Sequence, residues 1–171
     1  MSLLNVDRDQ IEKFLEGNRR KMVFPEYYFG IDNNQNPQSN FTDDRLKILI
    51  LMLSTGSVRS SSNTYNAMSY LATKDLGMEK VFVDYCYYPA KPNMDIFSDN
   101  GIPWIFGNVS HEPISSYDAV FVSNALIPEV VNITSFWENS GIPFTIEQRE
   151  KEDIPMLFYG GAASRSLYYF R

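Results

Sequence analysis

Leu46-Lys-Ile-Leu-Ile-Leu-Met-Leu53, followed at once by Ser54-Thr-Gly-Ser-Val-Arg-Ser-Ser-Ser62, is the stretch that decides the fold. Seven of its first eight residues are large and apolar, with no period-2 alternation. That is the pattern of a central parallel strand covered on both faces. The run stops in a small, polar, glycine-containing loop. Residues 62–76 then place Tyr65, Met68, Ala72 and Leu76 at helical spacing, and Gly77 is the expected stop. Strand, polar loop and helix form the opening unit of a doubly wound α/β domain. In such domains ligands bind outside the carboxyl ends of the strands.

Outward from this stretch the same alternation repeats. Residues 80–87 and 117–123 read as further apolar strands, and Pro155-Met-Leu-Phe-Tyr159 as another that runs into Gly160-Gly161. Residues 127–140 read as a helix whose Val130, Val131, Thr134 and Trp137 share a face, ended by Gly141. Residues 94–100 read as a short helical turn after the breaks at Pro89 and Pro92. Gly101-Ile-Pro-Trp-Ile-Phe-Gly107 and Ile142-Pro-Phe-Thr145 read as short extended pieces, and residues 147–153 as a charged loop. This order predicts a mostly parallel sheet with helices on both faces. After Gly161 ten residues remain. Two readings stand there: a fold finished by residues 166–171 as a short helix, or a domain truncated at its C-terminus.

Ahead of the first strand, residues 3–21 predict an amphipathic helix with Leu3, Leu4, Ile11, Phe14 and Leu15 apolar and Asp7 or Asp9 as cap. An aromatic, proline-broken stretch, Phe24-Pro-Glu-Tyr-Tyr-Phe-Gly30, and a polar linker follow. The expected organisation is an N-terminal helix and arm over residues 1–40 and the α/β domain over residues 41–171.

Composition narrows the function. With 171 residues, 44% hydrophobic and 21% charged, the chain has the balance of one globular domain. A net charge of −6 argues against nucleic acid and anionic membrane as partners, since both need a basic face. No window approaches the roughly 18 apolar residues of a membrane span, and the N-terminus has no signal-peptide pattern. A cytoplasmic protein is the expectation. The single cysteine, Cys86, lies within an apolar strand and reads as a small buried hydrophobe. The single histidine, His111, sits in a polar loop and reads as a surface residue. Asn40, Asn108 and Asn132 fall in Asn-x-Ser/Thr triplets, read as chance matches. No set of residues reads as catalytic or as metal-binding.

The candidate ligand contacts are loops at the carboxyl edge. Ser54, Thr55, Gly56, Ser57, Arg59, Ser60 and Ser61 supply hydroxyls, amides and one cation before a helix, the chemistry of an anion cradle. The P-loop ending Gly-Lys-Ser/Thr is missing, and hydroxyls that merely cap the helix are the simpler reading. Ser123 and Asn124 end the third strand. Gly160 and Gly161 end the last, where glycine permits a tight turn or the close approach of a flat ligand.

Taken in order, Gly101-Ile-Pro, Tyr117-Asp-Ala-Val-Phe-Val-Ser123, Ser140-Gly-Ile-Pro143, Arg149 and Pro155-Met-Leu-Phe-Tyr-Gly-Gly161 resemble the phrases giP, fDvvgfS, agIP, R and P.iiaGG. These mark the N-terminal cobalamin (B12)-binding-like domain ahead of the catalytic barrel in one branch of the radical SAM proteins. The resemblance spans residues 24–163. It implies a Rossmann-like, flavodoxin-like three-layer fold and a corrinoid site at the carboxyl edge, with Ser123 and the Gly160-Gly161 pair beside the corrin or its nucleotide tail. Two departures matter. The loop 54–62 holds no histidine, so the Asp-x-His-x-x-Gly lower ligand of the best-known cobalamin domains is excluded there. A [4Fe–4S] cluster that binds S-adenosylmethionine needs three cysteines, so that chemistry would belong to a catalytic radical SAM domain, missing here or acting in trans. The implied function is a non-catalytic corrinoid- or nucleotide-binding module. Two alternatives stay open. One is a small flavodoxin-like FMN or nucleotide reductase, because residues 56–64 also resemble the phosphate loop of FMN-dependent reductases. The other is a protein–protein interaction domain, for which Tyr27, Tyr28, Tyr87, Tyr88, Tyr168 and Tyr169 are the expected exposed aromatics.

Overall fold

The structure, a computed structural model, describes residues 3–29, 41–59, 64–77, 79–152 and 154–164. Its centre is a four-stranded, all-parallel sheet in the order β2-β1-β3-β4. The strands are β1 (Leu46–Met52), β2 (Val81–Tyr87), β3 (Ala119–Ser123) and β4 (Met156–Gly160). The helices are α1 (Arg8–Asn18), α2 (Gly56–Arg59), α3 (Thr64–Leu76), α4 (Lys91–Asp99), α5 (Val130–Glu138) and α6 (Ile146–Arg149).

The opening apolar run is the central strand. Leu49, Leu51 and Leu53 face one side, where Ile11, Phe14 and Leu15 of α1, Phe97 of α4 and Phe136 and Trp137 of α5 close the core. Ile48, Ile50 and Met52 face the other, against Tyr65, Met68 and Ala72 of α3. The chain steps from β1 to β2 in one direction and from β2 through β3 to β4 in the other. Crossovers of one hand must then lie on opposite faces, and α3 does lie opposite α4 and α5. The result is the expected three-layer, Rossmann-like α/β fold.

The N-terminal helix belongs to this core. Asp7 accepts the N–H of Gln10 at 2.9 Å while the Gln10 side chain accepts the N–H of Asp7 at 2.9 Å, a reciprocal cap that starts α1 at Arg8. Ile11 and Leu15 are fully buried.

Three local expectations need correcting. Residues 101–107 add no strand. Apart from one bridge between Phe106 and Pro113, they form an irregular buried passage. Trp104 donates its N–H to Asn139 O at 3.2 Å and Ile105 to Ser140 Oγ at 3.0 Å, so the end of α5 satisfies this backbone in place of a sheet. Residues 142–145 are not extended sheet either. Thr145 accepts the N–H of Gln148 and opens the short α6 where a charged loop was expected. Pro92 does not break the chain: it is the second residue of α4, where a missing N–H costs nothing.

One buried polar group organises the passage. Asp84, in the middle of β2, is fully buried. Its carboxylate accepts from Ser110 Oγ at 2.7 Å, Tyr117 Oη at 2.9 Å, Ser110 N at 3.0 Å and Val109 N at 3.1 Å. Gly107 lies against this group, and a Cβ there would overlap both the Tyr117 hydroxyl and the Asp84 carboxylate.

Burial sets the response of stability to base. It pushes the Tyr28 hydroxyl, the Cys86 thiol and the Tyr159 hydroxyl each up to about 12. Tyr65 and Tyr117 also rise, from burial first and the Asp84 charge second. The fold favours the neutral forms. Their contribution is complete below the unfolded values, about 8.5 for Cys and about 10 for Tyr, and is lost as pH rises from there toward the folded values. The urea midpoint is expected to fall steadily above pH ~9; a midpoint still unchanged at pH ~11 contradicts this.

Candidate functional site

The order β2-β1-β3-β4 places the topological switch between β1 and β3, at their carboxyl ends. In register, Met52 of β1 lies beside Ser123 of β3, and Ser123 beside Gly160 of β4. The residues just beyond these ends are Ser54, Asn124 and Gly161. The structure therefore gathers three of the predicted loops at one edge. Arg59 closes α2, while Ser60 and Ser61 lie outside the described residues.

The first loop is engaged within the chain. The Ser54 hydroxyl donates to Glu129, a buried carboxylate just before α5. The other Glu129 oxygen accepts the N–H groups of Ala125 and Leu126, each at 3.0 Å. This is an anion nest filled by the protein's own carboxylate. Asn132 adds a bond to Leu53 O at 2.7 Å, so the end of β1 is tied to the start of α5. Thr55 and Ser57 share a hydroxyl–hydroxyl bond at 3.1 Å. Gly56 lies under the Tyr27 ring, three of whose atoms would stand 2.5, 2.6 and 2.9 Å from an added Cβ. Glycine is thus present there for Tyr27, and a phosphate on Ser54 would meet the negative charge of Glu129.

The arm that carries Tyr27 is fastened down. Asn108 Nδ2 donates to Tyr27 O at 2.7 Å, Asn93 Nδ2 to Val23 O at 2.9 Å, and His111 Nε2 lies 2.9 Å from Tyr28 O. His111 is half-buried, with Nδ1 3.5 Å from Glu12, so it is a strut and not the surface residue expected. Tyr28 and Tyr87 are buried, and Tyr27 and Tyr88 half-buried. They pack on Phe97, on one another and on Phe136, which corrects the expectation that they present an exposed aromatic surface. Tyr168 and Tyr169 lie outside the described residues. The amides of Asn108 and Asn132 are both used internally, in keeping with chance sequence triplets.

Gly56→Ala is expected to destabilise by about 1–3 kcal/mol through overpacking against Tyr27. In the Tyr27→Ala background the same change should cost less than half as much. Urea melts of the four-member cycle measure this, and additive costs contradict the contact.

The other two loops are open on one side. Asn124 is wholly buried and structural: its N–H donates to Gly160 O at 2.8 Å, and its carbonyl accepts from Ala163 N at 3.1 Å. Gly161 has φ +112°, and a Cβ there would overlap the Asn124 carbonyl. Gly161 is therefore needed for the turn itself. At Gly160 an added Cβ meets nothing within 4 Å. It borders a slot of about 160 Å³ lined by Ile50, Met68, Phe121, Val122, Ser123 and Gly161. A second hollow of about 240 Å³ continues it along the sheet, sharing Ile50, Met68 and Phe121. Among the described residues, no charged side chain lines either. Ser123 supplies a hydroxyl at the carboxyl end of an otherwise apolar groove.

Ile50, Met68 and Phe121 are lining residues that sequence reading did not single out, because apolar spacing marks core and groove alike. Glu129 left a readable signal. A glutamate shortly after Ser123-Asn124 and Pro128, at the start of a helix, is placed to reach back to the preceding N–H groups. No helix among the described residues is long and apolar enough to cross a membrane. No family model, no curated protein and no solved structure matches the chain.

Proposed function

We propose that the chain is a non-catalytic binding module that takes the flat end of a corrinoid or nucleotide-type cofactor at the carboxyl edge of the sheet. The observation that carries this reading is the slot beside Gly160. It is apolar, open toward the ligand edge and bordered by a residue with no side chain, as a planar ring sliding against backbone requires. Ile50, Met68 and Phe121 would hold the ring, and Ser123 would bond its polar rim. The reading also rests on the ordered resemblance to the B12-binding-like domain of radical SAM proteins. In a corrinoid complex the cofactor would supply the cobalt chemistry and this chain the binding and orientation. His111, the one histidine, is held by Tyr28 and Glu12, so the corrinoid would take no imidazole from it. A radical SAM partner domain, with its [4Fe–4S] cluster and S-adenosylmethionine, would carry any reaction.

The flavin alternative places its phosphate on residues 54–62. Ser54 and Gly56 of that loop are held by Glu129 and Tyr27, which favours the slot over the loop as the ligand contact. The test is direct. Protein incubated separately with hydroxocobalamin and with FMN is desalted, and its visible spectrum is read. Retained corrinoid absorbance is expected. Retained flavin absorbance alone would replace this reading with the reductase one, and a colourless protein from both incubations would overturn both.

A further inference from the structure

The arm over residues 22–29 is tied to the domain by three side chains. Asn93 accepts the N–H of Val23 at 2.8 Å and donates to its carbonyl at 2.9 Å. Asn108 donates to Tyr27 O at 2.7 Å, and His111 Nε2 stands 2.9 Å from Tyr28 O. Of the three, only histidine changes its charge near neutral pH. The backbone is strained at two points of this attachment. Among the described residues, Phe24 (φ 53°) and His111 (φ 59°) are the non-glycine residues in the left-handed region. One starts the turn that carries Tyr27 and Tyr28, and the other is the tie itself. Such backbone persists where the surrounding contacts hold it.

The arm covers the first loop of the carboxyl edge. The Tyr27 ring lies over Gly56 and meets Tyr87 edge-on at 5.6 Å. The gap between Val23, Phe24 and Tyr27 on one side and Thr55, Gly56 and Ser57 on the other is about 10 Å³, room for one water at most.

The His111 ring faces an acceptor on each side. A carbonyl only accepts, so the bond to Tyr28 O requires a proton on Nε2. In the neutral ring Nδ1 is then a bare lone pair, and it faces Glu12 Oε1 at 3.5 Å. The imidazolium has a proton for both. The other charges near the ring are Arg8, which donates to the same Glu12 oxygen at 2.9 Å, Glu112 of the histidine's own loop, 3.6 Å from Arg8, and Arg19, which lies over the Phe29 ring that meets His111 edge-on. The bond from Arg8 holds the Glu12 carboxyl below its usual range against the effect of burial, so Glu12 is negative wherever imidazole titrates. Tyr28 stays neutral there, its hydroxyl pushed up to about 12 by burial.

We propose that His111 is a proton-operated latch for the arm: as imidazolium it holds Tyr28 O and Glu12 together and keeps Tyr27 over Gly56, and as neutral imidazole it loosens that cover. Access to Thr55, Gly56 and Ser57 then increases as pH rises. The latch depends on no ligand in the slot beside Gly160. The His111 side chain is 16% exposed and that of Glu12 39%, so solvent screens the pair and the effect is modest.

The test is amide hydrogen exchange in the full chain, followed by NMR, with each rate divided by its intrinsic rate at the same pH. The reporters are Val23 N–H, bonded to Asn93, and Tyr27 N–H, bonded to Phe24 O. From pH ~5.5 to pH ~8 their protection is expected to fall about two- to fivefold, while that of Leu49 and Ile50 in β1 stays constant. In His111→Gln the side-chain N–H₂ keeps a donor for Tyr28 O without a titrating ring, so protection should stay level. In Glu12→Gln the ring keeps its bond to Tyr28 O and loses the facing charge, so the fall should shrink by at least about half. Level protection in the native protein, an equal fall in β1, or an undiminished fall in either variant would overturn the proposal.

Discussion

Asp84→Ala is expected to lower the free energy of unfolding by about 3–5 kcal/mol, a large part of the roughly 5–15 kcal/mol typical of a domain. The alanine removes the carboxylate and takes the acceptor from five donors: the Ser110 and Tyr117 hydroxyls and the N–H groups of Tyr85, Val109 and Ser110. Each buried donor left without a partner costs about 1–3 kcal/mol, partly offset because a buried charge disappears as well. Asp84→Asn should fall between alanine and the native residue, since it keeps one carbonyl acceptor and turns an N–H₂ toward existing donors. Urea unfolding of the three proteins measures the series. A loss below about 1 kcal/mol for alanine would mean that the bonds to Asp84 do not organise the 107–111 turn.

The second large effect is expected at the glycine pair, where neighbouring residues should behave in opposite ways. Gly161→Ala should cost about 2–4 kcal/mol, because it meets two penalties at once. Its φ of +112° is strained for any residue with a Cβ, and the new carbon overlaps the Asn124 carbonyl. That carbonyl cannot retreat, being held by the N–H of Ala163 in a wholly buried residue. Gly160→Ala should stay within about 0.5 kcal/mol of the native protein, since its Cβ would stand in open space. Thermal or urea melts of both variants decide the point. Equal costs would contradict the division of the pair into one residue for the turn and one for the slot.

This division shows what the sequence could and could not convey. The pair was legible as a strand end with special backbone needs. Which glycine served the fold depended on Asn124, a residue 37 positions earlier. The same holds at the first loop. Its position at the carboxyl edge followed from the apolar run of β1 and the helix behind it. Its occupation by Glu129 and Tyr27 did not: those partners lie 75 and 29 positions away, and although Glu129 is readable as a cap on its own helix start, nothing local says that it also holds Ser54. The mostly parallel sheet with helices on both faces was legible because long apolar runs alternating with helices have few solutions. Residues 101–107 were misread for a related reason. A short apolar run marks burial, and burial alone does not distinguish a strand from an irregular passage backed by a helix end. Asp84 was present in plain sight. A lone carboxylate in the apolar run Val81-Phe-Val-Asp-Tyr-Cys-Tyr87 needs buried donors, and Ser110 and Tyr117 are the ones that the fold supplies.

The proposed binding rests on one place, the slot where Gly160 leaves the carboxyl edge open. The most direct measurement compares cofactor retention by the native chain and by Gly160→Val after incubation with hydroxocobalamin and desalting, with urea melts run in parallel. An added Cβ at position 160 meets nothing within 4 Å, so the valine side chain would go into the space of the slot beside Phe121 and Ser123. Binding in this slot predicts matching melts, corrinoid absorbance on the native protein and its loss from the variant. Equal absorbance on both proteins would contradict it, because the ligand would then bind somewhere other than this slot.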